Sequence, residues 1–135
     1  GGTEKMNPYR KAMHKIHAIH HASIIVSDTE NSLAFYRYLL GIPTCERPDL
    51  GFPGAWLQIG EQQIHLLELP NPDQVTGRPD HGGRDRHIAF IVTGLESIRK
   101  KLEEQGIPYS LSKSGRKALF CRDPDGNAVE LIEKQ

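Results

Sequence analysis

The chain has 135 residues, the length of one domain or of two half-sized units that share a core. Its 17 basic and 17 acidic side chains balance, so no broad electrostatic surface for nucleic acid or for an anionic membrane is expected. No apolar run approaches the roughly 20 residues of a membrane span, and no secretory signal is recognisable, so we expect a cytoplasmic protein.

Residues 1–18 are predicted to form a solvated N-terminal tail, because they contain no regular apolar pattern. Two interpretations stay open for residues 1–5, which precede the first Met: a native segment or a remnant of the expression vector. The two cysteines, Cys45 and Cys121, are far apart in the sequence. Without a secretory signal, two reduced thiols are favoured over a disulfide.

Residues 19–69 predict a β-α-β-β-β unit. Ser27-Asp28-Thr29 offers side-chain oxygens that cap a helix, and Gly41 is the expected helix stop. The predicted elements are a strand at 19–26, a helix at 29–40, a weak strand at 42–47 and two strands at 55–59 and 63–69 that form a hairpin.

Residues 70–86 are rich in Gly, Pro and charged side chains and are predicted to link this unit to a second one at residues 87–135. The second unit repeats the order of the first. Its predicted elements are a strand at 87–92, a helix at 95–105 and three strands at 109–112, 117–122 and 128–133, with a tight turn at Asp123-Pro124-Asp125-Gly126.

Two stretches of the chain occur twice. HASIIV at residues 21–26 is matched 66 positions later by HIAFIV at residues 87–92. IHLLE at residues 64–68 is matched 65 positions later by VELIE at residues 129–133. A duplicated unit that keeps a potential metal ligand in each of these stretches favours a shared metal ion between the two copies.

Side chains alternate between the two faces of a strand. One face of each repeated strand is almost entirely apolar and is expected to pack under the helices. The opposite, concave face carries His21, His65, His87 and Glu130 at matching positions of the repeat. Ionisable groups that leave water need partners, and four of them around one cavity satisfy each other best around a cation.

Several motifs are distributed over the two units of the chain: His21-x6-Asp28, Ser32-Leu33-Ala34-Phe35-Tyr36, Leu40-Gly41, Arg86-His87-Ile88-Ala89-Phe90 and the segment from Asp123 to Glu133. In these motifs the chain resembles the vicinal oxygen chelate superfamily, which includes glyoxalase I, extradiol dioxygenases and the fosfomycin and bleomycin resistance proteins. The resemblance covers about residues 19–133. It implies an α+β fold with two βαβββ modules that form an open, curled mixed β-sheet cleft with helices on the outer face. It also implies that the family's metal ligands fall on His21, His65, His87 and Glu130.

The function that this resemblance implies is a metal-dependent lyase or isomerase of the glyoxalase type. A divalent metal would chelate two adjacent substrate oxygens and stabilise an enediolate-type anion. Glu130 would be a metal ligand or the catalytic base. Glyoxalase I commonly has Glu where this chain has His65, and three imidazoles with one carboxylate favour Zn, Ni, Co or Fe over Mg or Ca. Glu68 and Glu133 lie on the opposite strand faces and are expected to be solvated.

Other functions stay open. An Fe(II) extradiol-type dioxygenase would use two histidines and one carboxylate of the same set. A thiol transferase resembling the fosfomycin enzymes would use two histidines and a glutamate. A small-molecule binding module resembling the bleomycin resistance proteins is the non-enzymatic alternative. Family members build the site within one chain or across a dimer, and we expect a homodimer.

Five further residues are candidates for substrate binding. Ser23 shares its strand face with His21. Arg84 or Arg86 in the linker would hold a carboxylate or phosphate, unless these charges form internal ion pairs. Lys113 and Arg116 would hold an anion, unless their segment is only a solvated hairpin turn.

Overall fold

The computed structural model describes residues 7–135 and consists of two four-stranded mixed sheets. The interpretations of residues 1–5 lie outside this range. The first unit contains β1 (His21–Val26), α1 (Thr29–Leu33, continued by a π-helical segment at Ala34–Leu39), β2 (Thr44–Cys45), β3 (Gly54–Ile59) and β4 (Gln62–Glu68). The second contains β5 (His87–Val92), α2 (Leu95–Glu104), β6 (Tyr109–Leu111), β7 (Ala118–Arg122) and β8 (Ala128–Glu133), preceded by a 3-10 turn at Gly82–Arg84.

The two sheets have the same topology, with strand orders β1-β4-β3-β2 and β5-β8-β7-β6. In each sheet the first strand is an edge strand and pairs in parallel with the last, whereas the other pairs are antiparallel. The register also repeats, because Ser23 lies opposite His65 and Ala89 lies opposite Glu130. The predicted α+β fold with open mixed sheets is therefore confirmed.

A single hydrophobic core joins the apolar faces of both sheets and the two helices. Leu57 and Leu66 of the first sheet and Leu119 and Leu131 of the second are almost completely buried in it. Since side chains alternate along a strand, this packing turns the predicted ligands to the other face of each sheet. Within residues 7–135, no helix has the length and apolar character that spanning a bilayer requires.

The first helix differs from the prediction of one regular helix at 29–40. It begins as predicted, with the Asp28 carboxylate accepting from the Asn31 backbone N–H at 2.9 Å. After Leu33 the turns widen, and the Leu40 N–H donates to the Phe35 carbonyl at 2.9 Å. The wider segment buries Tyr36, whose hydroxyl donates to Asp123 at 2.7 Å, so a tertiary contact overrides the local α-helical spacing.

The expectation that Glu68 and Glu133 are solvated is wrong. Glu68 accepts a hydrogen bond from the backbone N–H of Thr29 at 2.8 Å, and Glu133 accepts one from the N–H of Gly94 at 3.1 Å. Both N–H groups lie at the beginning of a helix, where backbone donors have no partner within the helix and a negative charge is stabilising. Each carboxylate therefore ties the last strand of its unit to the helix of the same unit.

Polar contacts also connect the two units and the linker. The Asp125 carboxylate accepts from the Ser27 backbone N–H at 3.1 Å. In the linker, Asp85 forms ion pairs at 2.8 Å with both Arg78 and Arg122. The hydrogen bonds from these two guanidinium groups hold the pKa of Asp85 well below its ordinary value. These contacts hold the end of the linker in place directly before β5, which begins at His87.

Both cysteines are free thiols, as predicted. Cys121 is buried in the core, and burial, followed by the nearby Asp123 charge, raises the pKa of its thiol to about 12. A thiol of this kind stays protonated at neutral pH and behaves as a small apolar side chain.

Candidate metal centre

The second sheet holds a histidine and a glutamate that face each other. His87 Nδ1 lies 2.8 Å from the backbone carbonyl of Asp85, which can only accept, so Nδ1 carries a proton. The other ring nitrogen, Nε2, lies 3.4 Å from Glu130 Oε1. With a neutral imidazole, Nε2 and Oε1 would be two acceptors that face each other, an arrangement that a metal ion bound between them would satisfy.

The burial of Glu130 also fits a metal ligand. The residue is buried, with only 4% of its surface exposed. Its Oε2 atom has no hydrogen-bond partner among residues 7–135, and the Arg116 guanidinium approaches it only to 3.8 Å. A buried carboxylate oxygen without a partner is costly, and coordination of a metal ion would satisfy it. The side chains present on this sheet therefore fit the divalent ion that the resemblance implies.

The first sheet holds the two other predicted ligands. The rings of His21 and His65 are stacked with centroids 3.9 Å apart, and the Trp56 ring stacks on the other side of His65 at 4.0 Å. Burial lowers the pKa of His65, and the neighbouring His21 and His20 lower it further. His65 is therefore a neutral imidazole at neutral pH, which is the protonation state that binds metals.

The structure brings the four predicted ligands together only as two pairs. Within residues 7–135 of one chain, no three His, Cys, Asp or Glu side chains are grouped so that they could hold a metal ion. His21 and His87 are both exposed and lie on the edge strands β1 and β5. One chain thus presents two half-sites, and the four-ligand centre stays a prediction.

A basic recess lies beside the second half-site. It has a volume of about 300 Å³, includes His87 and Glu130 in its wall, and is surrounded by Arg84, Lys113 and Arg116. All three basic residues are exposed. The recess therefore places positive charge beside the Glu130 carboxylate, and this charge would attract an anionic ligand.

The structure separates Arg86 and Ser23 from this basic recess. Arg86 forms an ion pair with Asp73 at 3.0 Å, which favours the interpretation of an internal linker contact. Both Arg86 and Ser23 line a different cavity of about 310 Å³ between β1 and β5, which also reaches His87. The five predicted substrate-binding residues therefore divide between two cavities: Arg84, Lys113 and Arg116 surround the basic recess, and Ser23 and Arg86 line the other cavity.

Sequence reasoning missed several residues that shape the two half-sites. Trp56 was not recognised, although it lies directly opposite His65 in the antiparallel pair of β3 and β4. Gln63 lies two residues before His65 on the same face and contacts its ring. Phe120 lies edge-on to His87 with centroids 5.2 Å apart. The two-residue period of the strands could have identified Gln63, whereas Trp56 and Phe120 required the register.

The sequence and the fold have counterparts in known proteins. A family model described as Glyoxalase/Bleomycin resistance protein/Dioxygenase superfamily matches residues 18–131. Glyoxylase I 4 of Arabidopsis thaliana is 35% identical over 120 residues, which are 84% of this chain and 69% of that protein. Lactoylglutathione lyase of Salmonella typhimurium is 30% identical over 122 residues, 84% of this chain and 90% of that protein. A glyoxalase family protein from Bacillus anthracis has the same fold, with a TM-score of 0.73 and 23% identity over 92% of this chain and 100% of that one.

Proposed function

Since this chain belongs to the Glyoxalase/Bleomycin resistance protein/Dioxygenase superfamily, we propose that it is a metal-dependent lyase or isomerase of the glyoxalase type. The observation that carries this proposal is the pair of His87 and Glu130, whose acceptor atoms face each other at 3.4 Å, while the other Glu130 oxygen, Oε2, is buried and has no hydrogen-bond partner among residues 7–135. A buried carboxylate oxygen without a partner costs stability, and a metal ion bound here would remove that cost.

His21, His65, His87 and Glu130 would hold the metal ion. A bound divalent ion would act as a Lewis acid on two adjacent oxygens of a small substrate, which lowers the cost of an enediolate-type anion. Three imidazole nitrogens and one carboxylate favour Zn, Ni, Co or Fe over Mg or Ca.

Glu130 is the residue that would move the proton. Its carboxylate is buried, lies beside the candidate metal position and faces the basic recess. With a divalent ion held by the histidines, the Glu130 carboxylate would be placed to accept a proton from a carbon next to the substrate oxygens. The nearby Arg116 guanidinium lies 3.8 Å from Oε2 and adds positive charge beside this carboxylate.

The site would be completed by two chains. Each chain carries one half-site on the first sheet and one on the second, and both edge strands expose their ligand face, with Ile91 of β5 73% exposed. In a symmetric homodimer, the first sheet of one chain can lie beside the second sheet of its partner. Such a dimer would contain two equivalent four-ligand centres.

The substrate would carry a carboxylate or phosphate group that binds in the basic recess. Replacing Lys113 with Met tests this, because Lys113 lines the recess but has no contact with Glu130 among the described residues. We expect KM to rise about tenfold with little change in kcat, since one charged hydrogen bond to the bound substrate is lost. Steady-state kinetics measure both constants. Lys101→Met, on the exposed face of α2, is the control, and an equal KM for both variants would contradict the role of Lys113.

Metal removal tests the proposed reaction itself. Protein stripped with a chelator is expected to lose the isomerisation of the hemithioacetal formed from methylglyoxal and glutathione, measured as thioester absorbance. Zn, Ni, Co or Fe should restore it better than Mg or Ca, because the donor set is rich in nitrogen. Metal content is determined in parallel on protein purified without an affinity metal.

The same preparations distinguish the other functions. Turnover of a catechol with dioxygen, restored by Fe(II) alone, would identify a dioxygenase. Metal-dependent addition of a thiol to an epoxide would identify a thiol transferase. Stoichiometric ligand binding without turnover under every metal would identify a binding module and would overturn the proposed enzyme.

A further inference from the structure

We propose that Gln63, oriented by Gln58, is a positioning residue that decides which ring nitrogen of His65 is available to a metal ion. The inference rests on the metal centre proposed above. It assigns a role to two glutamines that lie directly opposite each other in the antiparallel pair of β3 and β4. Neither residue contacts the candidate substrate recess.

The two glutamine side chains and His65 form a hydrogen-bond relay in which each donor and each acceptor is determined by its neighbour. The Gln58 amide nitrogen lies 2.7 Å from the Gly60 carbonyl and 3.3 Å from the Gln62 carbonyl, and it must donate because carbonyls only accept. The Gln58 amide oxygen therefore accepts from Gln63 Nε2 at 2.9 Å. The Gln63 amide oxygen is left to accept from His65 Nε2 at 2.8 Å.

The relay consequently sets the tautomer of His65. Its Nε2 carries the proton, and Nδ1 keeps the lone pair that a metal ion needs. The plane of the ring is fixed independently, because His65 is stacked between His21 and Trp56 with interplanar angles of 15° and 3°. Parallel rings cannot direct their in-plane lone pairs at one ion, so His21 would have to turn out of this stack to share a metal ion with His65. Gln63 would keep the choice of nitrogen on His65 in either arrangement.

In the second unit, a backbone carbonyl instead of a side chain selects the tautomer of the histidine. There the backbone carbonyl of Asp85 accepts from His87 Nδ1, which leaves Nε2 as the donor atom toward Glu130. Ala128 occupies the position opposite His87 that Gln63 occupies opposite His21, so the second unit has no side chain for a similar relay. A hydrogen bond to the other ring nitrogen is the usual way in which proteins orient a metal-binding histidine.

The test combines nitrogen NMR of the histidine rings in metal-free protein with a zinc titration. Wild-type His65 is expected to be the Nε2–H tautomer alone. Gln63→Leu should yield a mixture of tautomers and lower the Zn²⁺ affinity by about tenfold, the loss typical of a removed partner of a metal-binding histidine. Gln63→Glu keeps an acceptor oxygen for His65 Nε2–H but loses the donor to Gln58, so it should keep the wild-type tautomer. Gln62→Leu, whose exposed side chain lies outside the relay, is the matched control.

The possible outcomes separate this inference from the proposed function. Wild-type affinity and a single tautomer in a folded Gln63→Leu variant would overturn the positioning role while leaving the metal centre intact. An Nδ1–H tautomer in the wild type would overturn it as well. Wild-type protein that binds no Zn²⁺ would instead defeat the metal centre itself. If Gln63→Leu fails to fold, loss of the wild-type tautomer in Gln63→Glu would contradict the relay.

Discussion

A mixture of the His21→Ala and His87→Ala variants is expected to regain about one quarter of wild-type turnover, although each variant alone should be inactive. His21 belongs to the half-site on the first sheet and His87 to the half-site on the second. If each centre combines the first sheet of one chain with the second sheet of its partner, a mixed dimer places both substitutions in one centre. Its other centre then has all four ligands.

The expected value follows from the statistics of exchange. Equal amounts of the two variants give mixed dimers as about half of all dimers, and each mixed dimer has one intact centre of two. Turnover is measured after the protomers have been exchanged under mild denaturant. A mixture of differently tagged chains shows by affinity capture that exchange has occurred.

A second mixture provides the control. His21→Ala combined with His65→Ala places both substitutions on the first sheet, so every centre in every dimer lacks one ligand. No recovery is expected from this pair. Absence of recovery in the first mixture, with exchange demonstrated, would show that each centre is built within one chain.

The duplicated sequence predicted much of the fold because both units obey the same alternation. β-branched residues and matching positions of His21 and His87 identified β1 and β5, and Gly41 and Gly106, both with positive φ, end the two helical segments. The strand at 128–133 coincides with the observed β8. Local propensity and periodicity are enough to predict these elements, because the apolar pattern and the turn residues that define each element are close together in the sequence.

The features that the sequence did not predict depend on contacts between distant segments. The π-helical turns follow from the burial of Tyr36 against Asp123, 87 positions later. The helix-capping roles of Glu68 and Glu133 require knowing that each last strand runs beside the N-terminus of the helix of its unit. For the same reason, alternation placed the four ligands on the right strand faces but could not tell that one chain gathers them only in pairs.

Glu130→Gln is expected to lower turnover by about 100-fold to 10,000-fold, the usual contribution of a general base, while the protein stays folded. Glutamine has nearly the shape of glutamate and keeps one oxygen donor, but its amide cannot accept a proton near neutral pH. Some metal binding should remain, because three histidines and the amide oxygen are still present. Turnover and metal content of the same sample measure the two effects separately.

Glu133→Gln is the matched control, because Glu133 lies on the same strand as Glu130 but turns to the opposite face. Loss of its charge at the beginning of α2 should reduce the free energy of unfolding by about 1 kcal/mol and leave kcat unchanged. Turnover of Glu130→Gln within a few-fold of wild type, with metal bound, would mean that another group accepts the proton. In that case Glu130 would serve only as a ligand, and the buried oxygen that has no partner in a single chain would be explained by coordination alone.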